Sequence, residues 1–178
     1  MTCIVAVVKD GVVWMGADSA GVSGYAITAR RDPKIYKVGE MMFGFTSSFR
    51  MGQLLGYKFT PPEHPEDMPI ERYMCTLFVD ALRTTLKEGG YASINDGVET
   101  AGNFLVGYRG HIFNVNDDYQ VGENIVQFDA VGCGADIAVG SLYSTDKLSP
   151  AKRLTVALEA AEMFSAGVRG PFLIDKVK

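Results

Sequence analysis

The chain enters a β-hairpin almost at its first residue, and that placement restricts its folds more than any other feature. Cys3 to Val8 and Val12 to Ala17 are β-branched, apolar runs parted by the turn residues Asp10 and Gly11. A strand opening at residue 3 anchors a terminus that is mobile in most domains. Further short strands are expected at Tyr25 to Ala29, Ile35 to Val38 and Met41 to Thr46, divided by Ser23-Gly24, Asp32-Pro33 and Gly39-Glu40. The apolar period then changes. Phe49 to Tyr57 suits a short helix, and the three prolines between Thr60 and Pro65 force a loop. From Pro69, residues Ile70, Tyr73, Met74, Leu77, Phe78, Ala81 and Leu82 recur at helical spacing until Gly89-Gly90 stops them. Ser93 to Gly102 reads as a polar connection. Strands resume at Asn103 to Tyr108, His111 to Val115 and Phe128 to Val131. Ala135 to Tyr143 follows, then a long helix opened by Ser149-Pro150 with Leu154, Ala157, Leu158 and Ala161 on one face, and Gly167 is expected to cap it. A strand from Phe172 to Val177 closes the chain. The order strands, helices, strands, helices, strand predicts an α+β sandwich of two sheets with helix pairs outside, in one domain spanning 1–178.

Composition narrows the function. The 178 residues are 47% hydrophobic, enough for a substantial core, and 17 Lys+Arg against 21 Asp+Glu give a net charge of −4. Such a balance does not favour tracking along phosphates, so nucleic acid is not an expected partner. No apolar run reaches the roughly 18 residues of a membrane span, and the opening lacks the basic and small-residue pattern of a secretory leader, so a cytoplasmic location is expected. Cys3, Cys75 and Cys133 are odd in number, lie in apolar stretches and lack metal-type spacing; they read as free thiols. Gly132, Gly134 and Gly140 miss the dinucleotide-loop pattern because Ile137 stands where the third glycine belongs, and no phosphate-loop string exists. No cofactor and no metal are called for.

The chemistry that remains sits at the chain's start. Residue 2 is small, so removal of Met1 by a methionine aminopeptidase is expected, leaving Thr2 first and already entering a strand. A terminal threonine carries a hydroxyl nucleophile and, on the same residue, an α-amine whose reference pKa of about 7.7 to 8.0 lets it serve as base near neutrality.

Three segments give this site its context: Thr2-Cys3-Ile4-Val5-Ala6, Gly16-Ala17-Asp18-Ser19 and Arg31-Asp32-Pro33-Lys34-Ile35-Tyr36-Lys37-Val38. Together they resemble the opening of proteasome β-type subunits, the N-terminal nucleophile threonine peptidases, and Thr2, Asp18 and Lys34 reproduce that family's separations without a gap. The resemblance runs on through Gly44-Phe45-Thr46-Ser47-Ser48, similar to a Gly-Phe-Ala-Gly-Gly loop; through Val131-Gly132-Cys133-Gly134-Ala135, similar to a Gly-Ser-Gly-Ser turn; and through Glu162-Met163-Phe164-Ser165-Ala166-Gly167, similar to Asp-x-x-Ser-Gly-Gly. In length the chain is most like the HslV-type peptidase, and a bacterial or phage-borne homologue is a nearer match than a true proteasome subunit.

The resemblance implies a four-layer αββα sandwich and a threonine-type endopeptidase assembled as a ring or double-ring homo-oligomer. The implied substrates are unfolded protein or peptide segments, with room for an ATP-dependent unfoldase as partner. Thr2 would be nucleophile and, through its amine, base. Lys34 would push that amine toward its neutral form, and Asp18 would hold Lys34 charged and aimed. The oxyanion would bind a backbone N–H at Ser47, or at Ser48 if the alignment slips by one. Cys133, Glu162 and Ser165 would form the supporting shell. Five positions depart from the pattern: Ser47-Ser48 for Gly-Gly, Cys133 for Ser, Glu162 for Asp and Ala166 for Gly. They keep a second reading open, a catalytically weak or inactive structural or assembly protein that is perhaps phage-encoded. A third is an amidase of the wider superfamily acting on a small amide.

Overall fold

Strand β1 (Cys3–Lys9) pairs antiparallel with β2 (Val12–Ala17) around a turn in which Asp10 and Gly11 both take positive φ, at 53° and 72°. The computed structural model describes residues 1–95 and 97–178. After β2 come a ribbon of β3 (Ala20–Ser23) and β4 (Ala26–Ala29), then β5 (Ile35–Val38) and β6 (Met41–Phe45). Helix α1 (Phe49–Tyr57) is followed by α2 (Ile70–Tyr73), a π-helical turn (Met74–Phe78) and α3 (Val79–Glu88) in continuous succession. Next are β7 (Ser93–Asn95), β8 (Val98–Thr100), β9 (Phe104–Tyr108), β10 (His111–Val115), β11 (Val121–Glu123) and β12 (Phe128–Gly132). Helices α4 (Ala135–Ser144) and α5 (Pro150–Phe164) lead to β13 (Leu173–Val177).

Two antiparallel sheets result, with strand orders β12-β1-β2-β13 and β11-β10-β9-β6-β5. The period-2 alternation of β1 explains how they stack. Cys3, Val5 and Val7 face α4 and α5, where they meet Leu142, Leu154, Leu158 and Ala161. Ile4 and Ala6 face the other sheet, meeting Met42, Leu105 and Ile112. The second sheet alternates in the same way. Phe43, Phe45 and Val106 turn outward to Met51, Leu55, Phe78 and Leu82 of the other helix layer, while Met42 and Leu105 turn inward. Three apolar layers therefore lie between four structural layers, the αββα sandwich that the element order implied. Gly44 marks a point of close approach: a Cβ there would lie 2.5 Å from both Ile4 Cγ2 and Met15 Sδ across the sheet interface. Among the described residues no helix is long and apolar enough to cross a membrane.

Several local expectations need correction. Ser93 to Gly102 is not a plain connection. Leaving aside residue 96, outside the described residues, it forms the β7–β8 ribbon, whose register of Ser93 with Thr100 is carried by backbone pairing that polar side chains do not advertise. The strands β3 and β11 are further elements beyond those expected. Gly167 does not cap α5, which ends at Phe164 with extended Ser165 as its last half-helical residue. Its glycine serves space instead, since a Cβ would lie 2.5 Å from Met1 Cβ and 2.7 Å from Cys133 Sγ. Of the three free thiols only Cys3 is buried; Cys75 and Cys133 are exposed.

The inter-sheet contact at Gly44 supplies a test of the layering. Gly44→Val should lower stability by about 1 to 3 kcal/mol through overpacking, read from the urea midpoint at unchanged slope.

Candidate active site

The β1–β2 hairpin brings the ends of its two strands together. Ile4 pairs with Ala17, so Thr2, just ahead of β1, and Asp18, just past β2, lie side by side. Lys34 immediately precedes β5 in the facing sheet and reaches across the sandwich to both. All three are buried, with 4% of Thr2 and 2% each of Asp18 and Lys34 exposed.

Asp18 is saturated with donors. Its Oδ1 accepts the Cys3 N–H at 2.9 Å and Lys34 Nζ at 2.8 Å; its Oδ2 accepts the Ala20 N–H at 2.9 Å and the Arg169 N–H at 3.3 Å. Four donors fill the acceptor positions of one carboxylate. Lys34 is pulled both ways: burial lowers its pKa from the ordinary lysine value, and the Asp18 carboxylate resists that fall. Desolvation is the larger effect, so the ammonium is held against its own cost by one strong ion pair. The same ammonium donates to Thr2 Oγ1 at 2.9 Å. Oγ1 in turn donates to the Met1 carbonyl, so the threonine hydroxyl lies between a cation on one side and an acceptor on the other.

The Thr2 backbone meets the turn after β12. Its N–H points to Cys133 Sγ at 3.3 Å, and Cys133 Sγ also lies 3.5 Å from the Thr2 carbonyl oxygen. Gly132, at φ 103°, is required here because a Cβ would sit 2.2 Å from that oxygen. Ser165 Oγ is 3.4 Å from Cys133 Sγ and so adjoins Thr2 through the thiol, with no direct hydrogen bond to it. Glu162 stands apart from Thr2: its Oε1 accepts the Gly170 N–H at 2.9 Å and lies 3.9 Å from Arg169 Nε. Its longer side chain braces the loop whose Arg169 N–H reaches Asp18.

Ser47 and Ser48 close the other side. The virtual Cβ of Gly132 lies 3.3 Å from Thr46 Cγ2, which sets this loop next to Thr2. The Ser48 N–H is engaged by the Thr46 carbonyl at 2.7 Å, and no acceptor among the described residues takes the Ser47 N–H. Ser48 Oγ caps α1 by accepting the Arg50 N–H at 3.1 Å, so the positive end of that helix dipole abuts the loop. Of the two amides left open by the sequence, that of Ser47 is the one free to bind an anion. Phe49, the first residue of α1, has its ring centroid 5.8 Å from Lys34 Nζ and 3.9 Å from the Arg30 guanidinium carbon.

Lys34 thus touches both Asp18 and Thr2, Cys133 touches Thr2, Ser47 follows the Thr46 that packs beside Gly132, Ser165 touches Cys133 alone of these residues, and Glu162 is one loop removed. Sequence reasoning missed the Arg169 N–H, the Asn103 backbone beside Ser47 and the spatial role of Gly132. Backbone donors carry no residue signature. The glycine did, as part of the Gly132-Cys133-Gly134 turn between a strand and a helix.

No protein-family profile and no curated protein matches the chain. Solved structures do. Thiobacillus denitrificans BPH is 24% identical over 99% of this chain and 98% of its own, with a TM-score of 0.81. The same protein in complex with epoxomicin gives 22% identity over 99% and 98% and a TM-score of 0.80. The eukaryotic HslV of Trypanosoma brucei is 14% identical over 99% of both chains, with a TM-score of 0.70. The chain therefore has the proteasome and HslV type of N-terminal nucleophile fold over essentially its whole length.

The buried pair predicts strong coupling. Asp18→Ala and Lys34→Met should each cost about 3 to 5 kcal/mol by stranding the partner's charge, while the double substitution costs clearly less than their sum. Urea denaturation of the four proteins measures this.

Proposed function

We propose that the chain is a threonine-type endopeptidase with Thr2 as nucleophile. The observation that carries this reading is the buried chain Asp18 to Lys34 to Thr2 Oγ1, with links of 2.8 and 2.9 Å. An ammonium desolvated at such cost and aimed at a threonine hydroxyl has little structural purpose, since apolar side chains would fill the space at least as stably. Asp18, Lys34 and the Ser47 amide act together with Thr2, and Cys133 adjoins the Thr2 nitrogen with Ser165 behind the thiol.

The mechanism starts when the bond between Met1 and Thr2 is cut, which converts the Thr2 amide into a free amine. Lys34 then sits within one residue of that amine, and its positive charge depresses the amine's pKa so that the neutral, basic form predominates near pH 7. The amine takes the hydroxyl proton, directly or through a water, while Oγ1 bonds to the scissile carbonyl carbon. Lys34 stabilises the developing negative charge on Oγ1. The former carbonyl oxygen becomes an oxyanion and accepts the Ser47 N–H, with the α1 dipole adding to the field. On collapse the C–N bond breaks and the amine proton leaves with the departing amino group. Water, deprotonated by the same amine, hydrolyses the resulting ester and regenerates Thr2.

Cys133 is a weaker hydrogen-bond partner for the amine than a hydroxyl would be, and Glu162 is diverted to Gly170. These two features favour the second reading, a slow or inactive scaffold of the same fold. The fold likeness supports a homo-oligomeric ring or double ring in the cytoplasm that acts on unfolded segments, with an ATP-dependent unfoldase as the partner to test. The epoxomicin complex of the Thiobacillus protein makes that inhibitor the appropriate probe.

Intact mass of natively expressed protein should show Met1 absent and one epoxomicin adduct per chain, mapped to Thr2; retention of Met1 with no adduct would establish the scaffold reading. Thr2→Ala should reduce hydrolysis of fluorogenic peptides by at least about 1,000-fold. The pH profile of kcat/KM should rise with a single pKa below about 7.7 and level off above it, as expected for an amine depressed by a neighbouring cation. Cys133→Ser should raise kcat, measured with the same peptides.

A further inference from the structure

Ser47 is a non-glycine residue at φ 63°, in the left-handed region. Its side chain is what reconciles it with that conformation. Ser47 Oγ accepts the Asn103 N–H at 3.2 Å and lies 3.2 Å from Thr46 Oγ1. Thr46 is itself clamped to the same residue, its N–H and Oγ1 both donating to the Asn103 carbonyl, at 3.0 and 2.8 Å. Behind them Gly102 is packed so closely that a Cβ would lie 2.8 Å from both Ser47 Cβ and Ser47 Oγ. The backbone of 102–103 therefore grips the 46–47 corner by three hydrogen bonds and by close contact.

We propose that the Ser47 hydroxyl is a positioning residue for the reaction proposed above: by binding the Asn103 N–H it locks the left-handed corner in which the Ser47 amide stays free for the oxyanion. The inference rests on the peptidase reading for its catalytic consequence, though the clamp itself does not. The corner has two further consequences in the structure. At this φ the chain folds back so that the Ser48 N–H reaches the Thr46 carbonyl, which removes the competing donor, and Ser48 is left extended, at φ −144°, to cap α1. Rotation of Ser47 out of the left-handed region would undo both. Serine here thus exchanges the freedom of a glycine for a fixed side-chain tether, and rigidity at the oxyanion corner favours transition-state stabilisation over substrate binding.

Two variants of the mature protein separate this from the alternatives. Ser47→Ala keeps the strained conformation and loses the tether; kcat should fall about tenfold with KM within about twofold. Ser47→Gly loses the tether and the strain together and should fall between Ala and wild type. Ser47→Ala at wild-type kcat, or Ser47→Gly faster than wild type, would overturn the proposal, because the hydroxyl would then contribute nothing or hinder. Amide hydrogen exchange is the readout independent of activity. Ser47→Ala should speed exchange in 46–50 and 102–104 and leave β1 and β2 unchanged, and unaltered exchange there would overturn the clamp even if wild type hydrolyses nothing. A wild type that takes no epoxomicin adduct yet shows the exchange difference would defeat the peptidase reading and leave the clamp standing.

Discussion

The buried ion pair between Lys34 and Asp18 is the interaction on which the rest of the site depends. It joins the two sheets at the end where β1 begins, with Asp18 from one sheet and Lys34 from the other, 2.8 Å apart and almost wholly shielded from water. A pair in such a place is costly to desolvate and tolerable only with its remaining valences filled. Asp18 meets that condition through three backbone N–H groups, from Cys3, Ala20 and Arg169, and Lys34 through the hydroxyl of Thr2. The proposed nucleophile is thus also the group that completes the hydrogen bonding of a buried cation, so stability and proposed chemistry are parts of a single network.

The αββα layering makes that network possible. Stacked sheets with apolar inner faces leave little room for polar atoms between them, and the inner faces of β1, β2 and β6 supply Ile4, Met15 and Met42 in place of them. Thr2, Asp18, Lys34 and Thr46 collect at one end of the stack, where strands begin and finish and backbone donors are not committed to ladders, while the buried Asp129 lies within the paired strands and accepts from Asn114. Thr2, Asp18 and Lys34 each lie one residue outside a strand, at positions where a side chain can turn into the sandwich while its neighbours keep the sheet register. The turn at Gly132 and the corner at Ser47 bring two further loops to the same end.

Departures from the proteasome-like pattern fall into two kinds. Cys133 remains beside the Thr2 N–H, with the retained Ser165 behind it, and is altered in chemistry more than in place. Glu162 has changed its task, because one added methylene carries its carboxylate to the Gly170 N–H and toward Arg169. That brace still acts on the site at a distance, since the loop it holds presents the Arg169 N–H to Asp18.

The amino-acid order alone determined the hairpin at the start, the two helix pairs, and the candidate set Thr2, Asp18 and Lys34. These follow from periods of two and 3.6 residues and from charged or nucleophilic side chains whose identity is itself the signal. The polar β7–β8 ribbon, the three-residue strand β11, the absence of an αL cap at Gly167 and the exposure of Cys133 were not legible, because short pairings and cap geometry depend on what packs beside them. Only the tertiary structure decided which of two adjacent serine amides is free and what holds it so. Both have the same local sequence. The difference comes from Asn103, more than fifty positions away, whose backbone reaches the corner only after β9 has paired with β6.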